Sequence, residues 1–493
     1  MAELLLGLDI GTTHVKAVLA TPEGQVLARA ATGYPTSHPR PGWAEQAPSD
    51  WWDGVARVTR AVTRDAPGRV AGIGVSGQGC AVTLIGPGGE VLRPAIIWMD
   101  SRSEEQSQRL RDCCLAEILA RNGKHPAPYN ADPVLMWLHE HEPASIAGAR
   151  VSLTTTAYVN FRLTGEAVAN LSDASILFAF DLANRSWSGQ FIEDLGLPAR
   201  LYPALAECDR VIGALTPEAA ADLGLYAGIP VVAGGEDTSA AGLAFGAARP
   251  GLAYLSLGTA GTEYVPVSTL AVQPQLLTFL HVLPGQYLLG GSMVAIGAAL
   301  AWCRQLLGLQ VDFPELISLA EGAEPGAGNL LYLPYMSGEL QPINDGNARG
   351  VLFGLTLSTD RSQLLRAILE GTAFAIAHNL SIVESTGIAV DEIRASGGPT
   401  RSAAWCQIIA DVTGRHVSVV HEESGAPLGS ALLAGKGAGL IDDIAAVALG
   451  AARVECAFEP DRQRHDRYRS LLSIYRQLYP QVREQFAQLA RLP

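Results

Sequence analysis

The sequence predicts an α/β protein of two or three domains, and three observations carry that prediction. Short strand-like segments and long helical patterns interleave along the chain. A strand–turn–strand stretch near the start has an approximate copy near the middle. The 493 residues are also too many for a single core, while 48% hydrophobic and 17% charged residues describe a folded chain and not a disordered one.

The first element is "LLLGLDIGTTHVKAVLA" (4–20). An apolar run from Leu4 to Leu8 meets Asp9, then Gly11, Thr12 and Thr13, before a second run from Val15. On its own this reads as a hairpin, since Gly and Asp suit turns. It also reads as a polyphosphate turn, in which hydroxyls and N–H groups bind phosphate oxygens and Asp9 orients a metal ion through its waters. Further strands are expected at 25–32, 70–76, 81–86 and 95–98, with "GPGGEV" (86–91) as a turn. "PSDWWDGVARVTRAVTRDA" (48–66) opens with a helix start and carries apolar residues at helical spacing. Strands return at 229–235 and 252–259, and long helices are expected at 293–307, 361–387, 401–414 and 460–489.

The copy of the first element is "LAYLSLGTAGTEYVPVS" (252–268), again strand, Gly-Thr turn, strand. If both turns hold phosphate, the two halves of the chain clamp one nucleotide between them. The boundary then falls at "AARPG" (247–251), giving domains 1–248 and 249–445 and a helical tail over 446–493.

A net charge of −14 argues against a nucleic-acid partner. No uninterrupted apolar stretch is long enough for a bilayer, and Asp9 interrupts the first run without a basic region before it, unlike a signal peptide. Seven scattered cysteines without a C-x-x-C read as reduced thiols in a cytoplasmic protein, and the ten histidines form no metal-ligand pattern.

Four internal motifs have both a bland and a chemical reading. "GIGVSG" (72–77) matches G-x-G-x-x-G, but strand and turn follow it where a dinucleotide site needs a helix, so the cofactor reading is rejected. "PVVAGGEDTSAAGLAFG" (230–246) is either a helix N-terminal region or the place where Asp237 is presented as a general base to a hydroxyl. In "RASGGPTRSAAWCQIIADVTG" (394–414), Gly397 and Gly398 form an ordinary turn or leave bare backbone for an adenine. In "RPAIIWMDSRS" (93–103), Trp98, Asp100 and Arg102 are a core Trp with an ion pair, or an apolar wall with acceptors for a sugar.

Together these segments resemble the FGGY carbohydrate kinases, over about residues 4 to 440. "GLDIGTTHVK" and "SLGTAGTEY" are similar to the two phosphate motifs, and "YPTSHPRPGWAEQAPSDWW" is a family hallmark without evident chemistry. "GGSMVAIGAALAW" (290–302) and "GVLFGLTLSTDRSQLLRAILEG" (350–371) also fit. The resemblance implies a two-domain actin/hexokinase-like (ribonuclease-H-like) fold with its active site in the interdomain cleft. It implies ATP and Mg²⁺ as cofactors and a small sugar as partner, with a homodimer as the expected form of any self-association. Asp237 would be the general base and Asp9 the metal-orienting carboxylate. Gly11, Thr12, Thr13, Lys16, Gly258 and Thr259 would hold phosphate. Gly297, Gly397, Gly398 and Ser402 would line the nucleotide.

Within the family, "GVSGQG", "LRPAIIWMDSR", "LPYMSGE" and "WLHEHEP" look most similar to xylulose kinases. That likeness places Gln78, Gly79, Cys80, Trp98, Asp100, Asp237 and Thr238 around the sugar, with D-xylulose expected first. Three positions depart from the pattern: Cys80 where a histidine is usual, Thr238 where an Asn is usual, and Val134 where a Lys is usual. Another pentulose (L-xylulose, D-ribulose) or erythritol is therefore the rival substrate. A non-catalytic actin-like nucleotide switch and a sugar sensor without turnover are the rival classes. The Asp237 loop counts against the switch, and the two intact phosphate turns count against the sensor.

Overall fold

Two mixed sheets, each of seven strands, repeat one topology. The computed structural model describes residues 3–421 and 425–492. In the first sheet, Leu4–Ile10 (β1), His14–Ala20 (β2) and Val26–Gly33 (β3) form an antiparallel meander, and Val70–Gly77 (β4) lies parallel beside β1. Val211–Ala214 (β5) is the far edge, antiparallel to Pro230–Val232 (β6), while Gly235–Glu236 (β7) pairs parallel with β4. The order is β5-β6-β4-β1-β2-β3.

The second sheet contains Leu252–Leu257 (β8), Gly261–Val267 (β9), Leu277–Leu280 (β10), Tyr287–Met293 (β11), Glu392–Ser396 (β12), His416–Val420 (β13) and Val454–Phe458 (β14). Its order is β10-β11-β9-β8-β12-β13-β14. Here the antiparallel part has four strands, β10-β11-β9-β8, and it too is extended by parallel strands and closed by an antiparallel edge. The repeat seen in the sequence is thus a repeat of the fold. β1–β2 and β8–β9 occupy equivalent places, their last pairs being Ile10↔Val15 and Leu257↔Gly261.

Helices cover these sheets by burying one face. Pro48–Thr63 (α1) places Trp51, Val55, Val58 and Val62 against β2 and β3, and Pro48 suits a first turn that needs no donor. The other helices that matter for function are Asp237–Ala244 (α2), Gly297–Leu306 (α3), Arg361–Ser385 (α4), Ala403–Thr413 (α5), Gly425–Gly437 (α6) and Arg462–Leu489 (α7). A reciprocal capping box between Asp360 and Gln363 starts α4, which is then buried for most of its length.

Helix α6 comes late in the chain yet packs on β1 and β4 of the first sheet and on α2. Its approach needs a bare backbone: a Cβ on Gly74 would lie 2.0 Å from the Ser430 carbonyl oxygen. The glycines of "GIGVSG" thus admit a helix and bind no dinucleotide. Around this contact Leu5, Val18, Leu243, Leu428 and Leu432 form one apolar cluster. The 247–251 link therefore separates the two sheets, but α6 crosses back to complete the first lobe. Nor is 446–493 only a helical tail, since β14 forms the edge of the second sheet and Tyr468, Tyr475 and Phe486 of α7 enter its core.

Three expected elements are revised. The strand over 229–235 is broken by Gly234, whose φ is +75°, into β6 and β7. The helix expected from 293 starts at Gly297, because Met293 still pairs in β11. The strand over 95–98 shrinks to Ala95–Ile96. The expectation of reduced thiols is also corrected for one pair. Cys113 and Cys114, adjacent at the break between two helices, are joined as a disulfide, and the other five cysteines are free. Among the described residues no helix is long and apolar enough to cross a membrane.

Candidate active site

The turn between β1 and β2 is held from four directions. Gly11 N–H donates to the His14 carbonyl at 3.1 Å, and the Tyr34 hydroxyl donates to the Gly11 carbonyl. Gln46 Nε2 donates to the Thr12 carbonyl at 2.8 Å, and Trp98 Nε1 donates to Thr12 Oγ1 at 2.8 Å. Gln46 is itself fixed by contacts with Thr36, Trp51 Nε1 (3.0 Å) and Gln78 Nε2 (2.8 Å). The hallmark "YPTSHPRPGWAEQAPSDWW" thereby acquires a physical role. Tyr34, Thr36, Gln46 and Trp51 buttress the β1–β2 turn, and none was a candidate on sequence alone. Thr13 stays exposed, its hydroxyl 2.9 Å from His14 Nδ1, and the Lys16 side chain is half exposed, 3.9 Å from Asp9.

Asp9 is buried at the end of β1 and accepts from Ser76 Oγ at 3.0 Å. Asp237 opens α2 beside it, because β7 pairs with the end of β4, Glu236 opposite Gly77. Glu236 is the helix N-cap, accepting from Ser239 N–H at 2.9 Å, and Thr238 Oγ1 donates to Asp237 at 3.1 Å. Burial, then the Asp237 charge, pushes Asp9 up to about 7. The same two causes push Glu236 well above the usual carboxylate range, and burial raises Asp173 to about 7. Two mutually repelling carboxylates, Asp9 buried and Asp237 half-buried, offer only oxygen donors and suit Mg²⁺. Among the described residues no three His, Cys, Asp or Glu form a cage, so the ion would keep most of its waters.

The sugar candidates follow β4. Gln78 is buried, its N–H bonded to the Ile10 carbonyl at 2.9 Å, and its Oε1 has no partner among the described residues. Gly79 faces Ile176 and Glu236. Cys80 sits in the left-handed region at φ +61°, buried, with the Asn130 amide 4.0 Å from Sγ, and burial pushes its thiol up to about 12. Trp98 is 45% exposed and stands as a wall beside Thr12. Asp100 differs from expectation. Its carboxylate accepts from Arg102 Nε (2.9 Å), Arg102 Nη2 (2.7 Å) and Ala44 N–H (2.6 Å), and Arg102 lies 3.7 Å over the Trp43 ring. Asp100 therefore anchors the loop and leaves little acceptor capacity for a sugar. Val134 lies among Val82, Leu135 and Leu138 in an apolar cluster, where a lysine head would have no partner in that cluster.

The second turn, between β8 and β9, is clasped by the start of α3. Gly297 N–H donates to the Gly258 carbonyl at 3.0 Å, and Ile296 and Ala298 N–H donate to the Thr259 carbonyl at 3.0 and 3.1 Å. Gly297 thus supports the hairpin directly. Gly397, at φ +103°, lies so close to β8 that a Cβ would sit 1.9 Å from the Leu257 carbonyl oxygen, whereas Gly398 faces open space. Ser402 caps α5, accepting from Trp405 N–H at 3.2 Å. Between the lobes lies a cavity of about 890 Å³. Asp9, Lys16, Asp237 and Thr238 form one wall, and Thr262, Ser396, Gly397 and Arg401 the other. Of these, Thr262, Ser396 and Arg401 lie inside the two motifs 252–268 and 394–414 but were not singled out, since the glycines beside them carried the reading.

Two duplicated sheets flank a cleft that holds Asp9, Lys16 and Asp237, while Thr12, Thr13, Gly258 and Thr259 of the two turns do not line this cavity. Residues 4–244 match the N-terminal domain of the FGGY family of carbohydrate kinases, and residues 253–438 match its C-terminal domain. The xylulose kinase of Escherichia coli (strain K12) is 33% identical, the alignment covering 97% of this chain and 99% of that protein. The glycerol kinase of Geobacter sp. (strain M21) is 31% identical, over 94% and 95%. The crystal structure of xylulose kinase from Rhodospirillum rubrum superposes with a TM-score of 0.94 at 34% identity, covering 98% of this chain and 100% of that one. The chain belongs to the FGGY family of carbohydrate kinases. It is an ATP-dependent sugar kinase.

Proposed function

We propose that the chain transfers the γ-phosphate of ATP to the terminal hydroxyl of a small ketose, D-xylulose first, with Asp237 as general base. The observation that carries this reading is the setting of Asp237 on the first turn of α2, in one cavity with Asp9, Lys16 and Thr262. The Asp237 carboxylate takes the hydroxyl proton as that oxygen forms its bond to the γ-phosphorus and the bond to ADP breaks. Lys16 and the Thr12, Thr13, Gly258 and Thr259 turns hold and neutralise the phosphoryl oxygens. Mg²⁺, when bound, supplies charge neutralisation on the phosphates, and Asp9 would hold it through water. Gly398 offers bare backbone to the adenine, with Gly397 holding the turn against β8, and closure of the lobes excludes water.

The substrate reading is supported by the names of the relatives from Escherichia coli and Rhodospirillum rubrum. Cys80 favours a second reading, a pocket that also accepts another pentulose or a polyol, because a buried neutral thiol is a weak donor. The test is kcat/KM for D-xylulose, L-xylulose, D-ribulose, erythritol and glycerol in the wild type and in Cys80→His. Histidine tolerates the left-handed backbone at this position. One added hydrogen bond is worth about 0.5–1.5 kcal/mol, so the preference for D-xylulose should rise roughly 2- to 10-fold. Turnover of another sugar with none of D-xylulose would overturn the substrate assignment.

A further inference from the structure

A second cavity, of about 870 Å³, lies between α7, Pro274–Gln275 and the 342–344 segment. Arg469, Arg476, Arg483, His125 and His378 line it, and no Asp or Glu does, in a chain with 49 acidic and 35 basic residues. The arginines recur every seven residues, so they form one stripe along the helix with about 10 Å between neighbours. Among the described residues Arg476 and Arg483 form no ion pair, and Arg469 reaches only Asp466, at 4.0 Å. Asp345, near the rim, is engaged by the Tyr479 hydroxyl at 2.7 Å. His378 is nine-tenths buried, and its Nδ1 has no hydrogen-bond partner. Burial and the Arg476 charge hold its pKa down to about 4, so the ring is neutral at physiological pH.

Aligned guanidinium groups in a concave site, two of the three here without an ion pair among the described residues, concentrate anions and bind phosphate by forked hydrogen bonds. The cavity is too large for inorganic phosphate alone and falls within the range of about 300–1,000 Å³ typical of small-molecule sites. Apolar walls come from Ile343, Leu472 and Pro480, and the Gln275 amide can meet hydroxyls, the Asn344 amide being engaged by Gln341 Nε2 (3.1 Å) and the Gln275 carbonyl (3.4 Å). His125 belongs to the first lobe and contacts the Pro274 carbonyl of the second at 2.8 Å, so an occupant would touch the seam between the lobes.

We propose that this cavity is a second ligand site, separate from the nucleotide cavity, that takes a small sugar phosphate with its phosphate on Arg476. The experiment is calorimetric titration of the full chain with ribose 5-phosphate, the nucleotide site being filled with a non-hydrolysable ATP analogue. Ribose and inorganic phosphate are the comparison ligands. One equivalent of ribose 5-phosphate should bind with submillimolar affinity, and ribose and inorganic phosphate at least tenfold more weakly. Arg476→Gln should weaken that binding tenfold or more and leave kcat without the ligand unchanged. Arg462→Gln, on the same helix outside the cavity, should change it less than twofold. The proposal is overturned by absence of binding, by equal losses in both variants, or by inorganic phosphate binding as tightly, an adventitious ion only. It is also overturned if light scattering shows a dimer that Arg476→Glu dissociates while no sugar phosphate binds, which makes the face an interface between copies.

Discussion

Asp237 and Asp9 are like charges at adjoining strand ends, and separating their roles is the sharpest test at the scale of the residue. Asp237→Asn keeps the size and the contact with Thr238 but removes the base. It should lower kcat by about 10²–10⁴-fold with nucleotide affinity retained, read by steady-state kinetics and by titration with an ATP analogue. Near-normal kcat rules out the assignment. Asp9 is costly to keep ionised in the ligand-free protein, its pKa having risen from 3.8 to about 7. A carboxyl raised in this way costs nothing below pH 4, and its penalty grows until pH 7 and then stays constant, roughly 4 kcal/mol at most by linkage. Asp9→Asn should therefore gain stability relative to wild type between pH 4 and pH 8 in urea unfolding without ligands, while losing activity. A gain that is absent at pH 8 contradicts the burial argument. Asp9, Lys16 and Asp237, which line one cavity, stood out in the sequence because charged groups beside Gly-rich turns are conspicuous. Gln46 and Tyr34 were not, since they act through neutral hydrogen bonds from a segment that looked like a loop.

At the scale of the element, hairpins and amphipathic helices were readable from their periods, but the destination of α6 was not. It is buried on most faces, so its pattern says that it lies inside and not against which sheet. Only the backbone contact at Gly74 shows why "GIGVSG" is glycine-rich. The two glycines before α5 divide in the same way between packing and ligand. Gly397 is required by β8, whereas a methyl group at Gly398 meets nothing. Gly398→Ala should leave the melting temperature within about 2 °C, since it adds no clash and surface changes of this kind are usually within ±0.5 kcal/mol. It should raise the KM for ATP severalfold if the adenine lies against that backbone. An unchanged KM for ATP removes Gly398 from the nucleotide site. Gly74→Ala is the contrasting variant, expected to cost about 1–3 kcal/mol or more through overpacking.

For the whole molecule, the duplication was visible in the sequence because each copy keeps a Gly-Thr turn between apolar runs. The seam between the copies was invisible, since it is made by main-chain carbonyls and small hydroxyls from distant segments. Lys124 is its centre. Buried in the first lobe, where burial lowers its pKa to about 7, its Nζ donates to Asn122 Oδ1 (2.9 Å), to the Ser175 carbonyl (2.9 Å) and to the Thr278 carbonyl of β10 (2.6 Å). Beside it Leu280 N–H donates to Ser175 Oγ and Val282 N–H to Ser239 Oγ, both at 2.9 Å. Ser239 lies on α2, two residues from Asp237, so the second lobe is fastened to the helix that carries the proposed base. This seam and the α2–α6 contact are thus where the lobes are joined beside the proposed base. Lys124→Met preserves the side-chain length and removes the donor to the Thr278 carbonyl and Asn122 Oδ1, at about 1–3 kcal/mol for a buried acceptor left unpaired, while the Ser175 carbonyl keeps the Asn122 Nδ2 bond at 3.1 Å. The melting temperature should fall. The lobes should also hold the closed state less well, so ATP hydrolysis without sugar should rise relative to phosphoryl transfer. Both are measurable on one preparation, by thermal unfolding and by comparing ADP release with and without D-xylulose. A lower melting temperature with an unchanged ratio limits Lys124 to stability, and neither change would show that the seam does not hold the lobes.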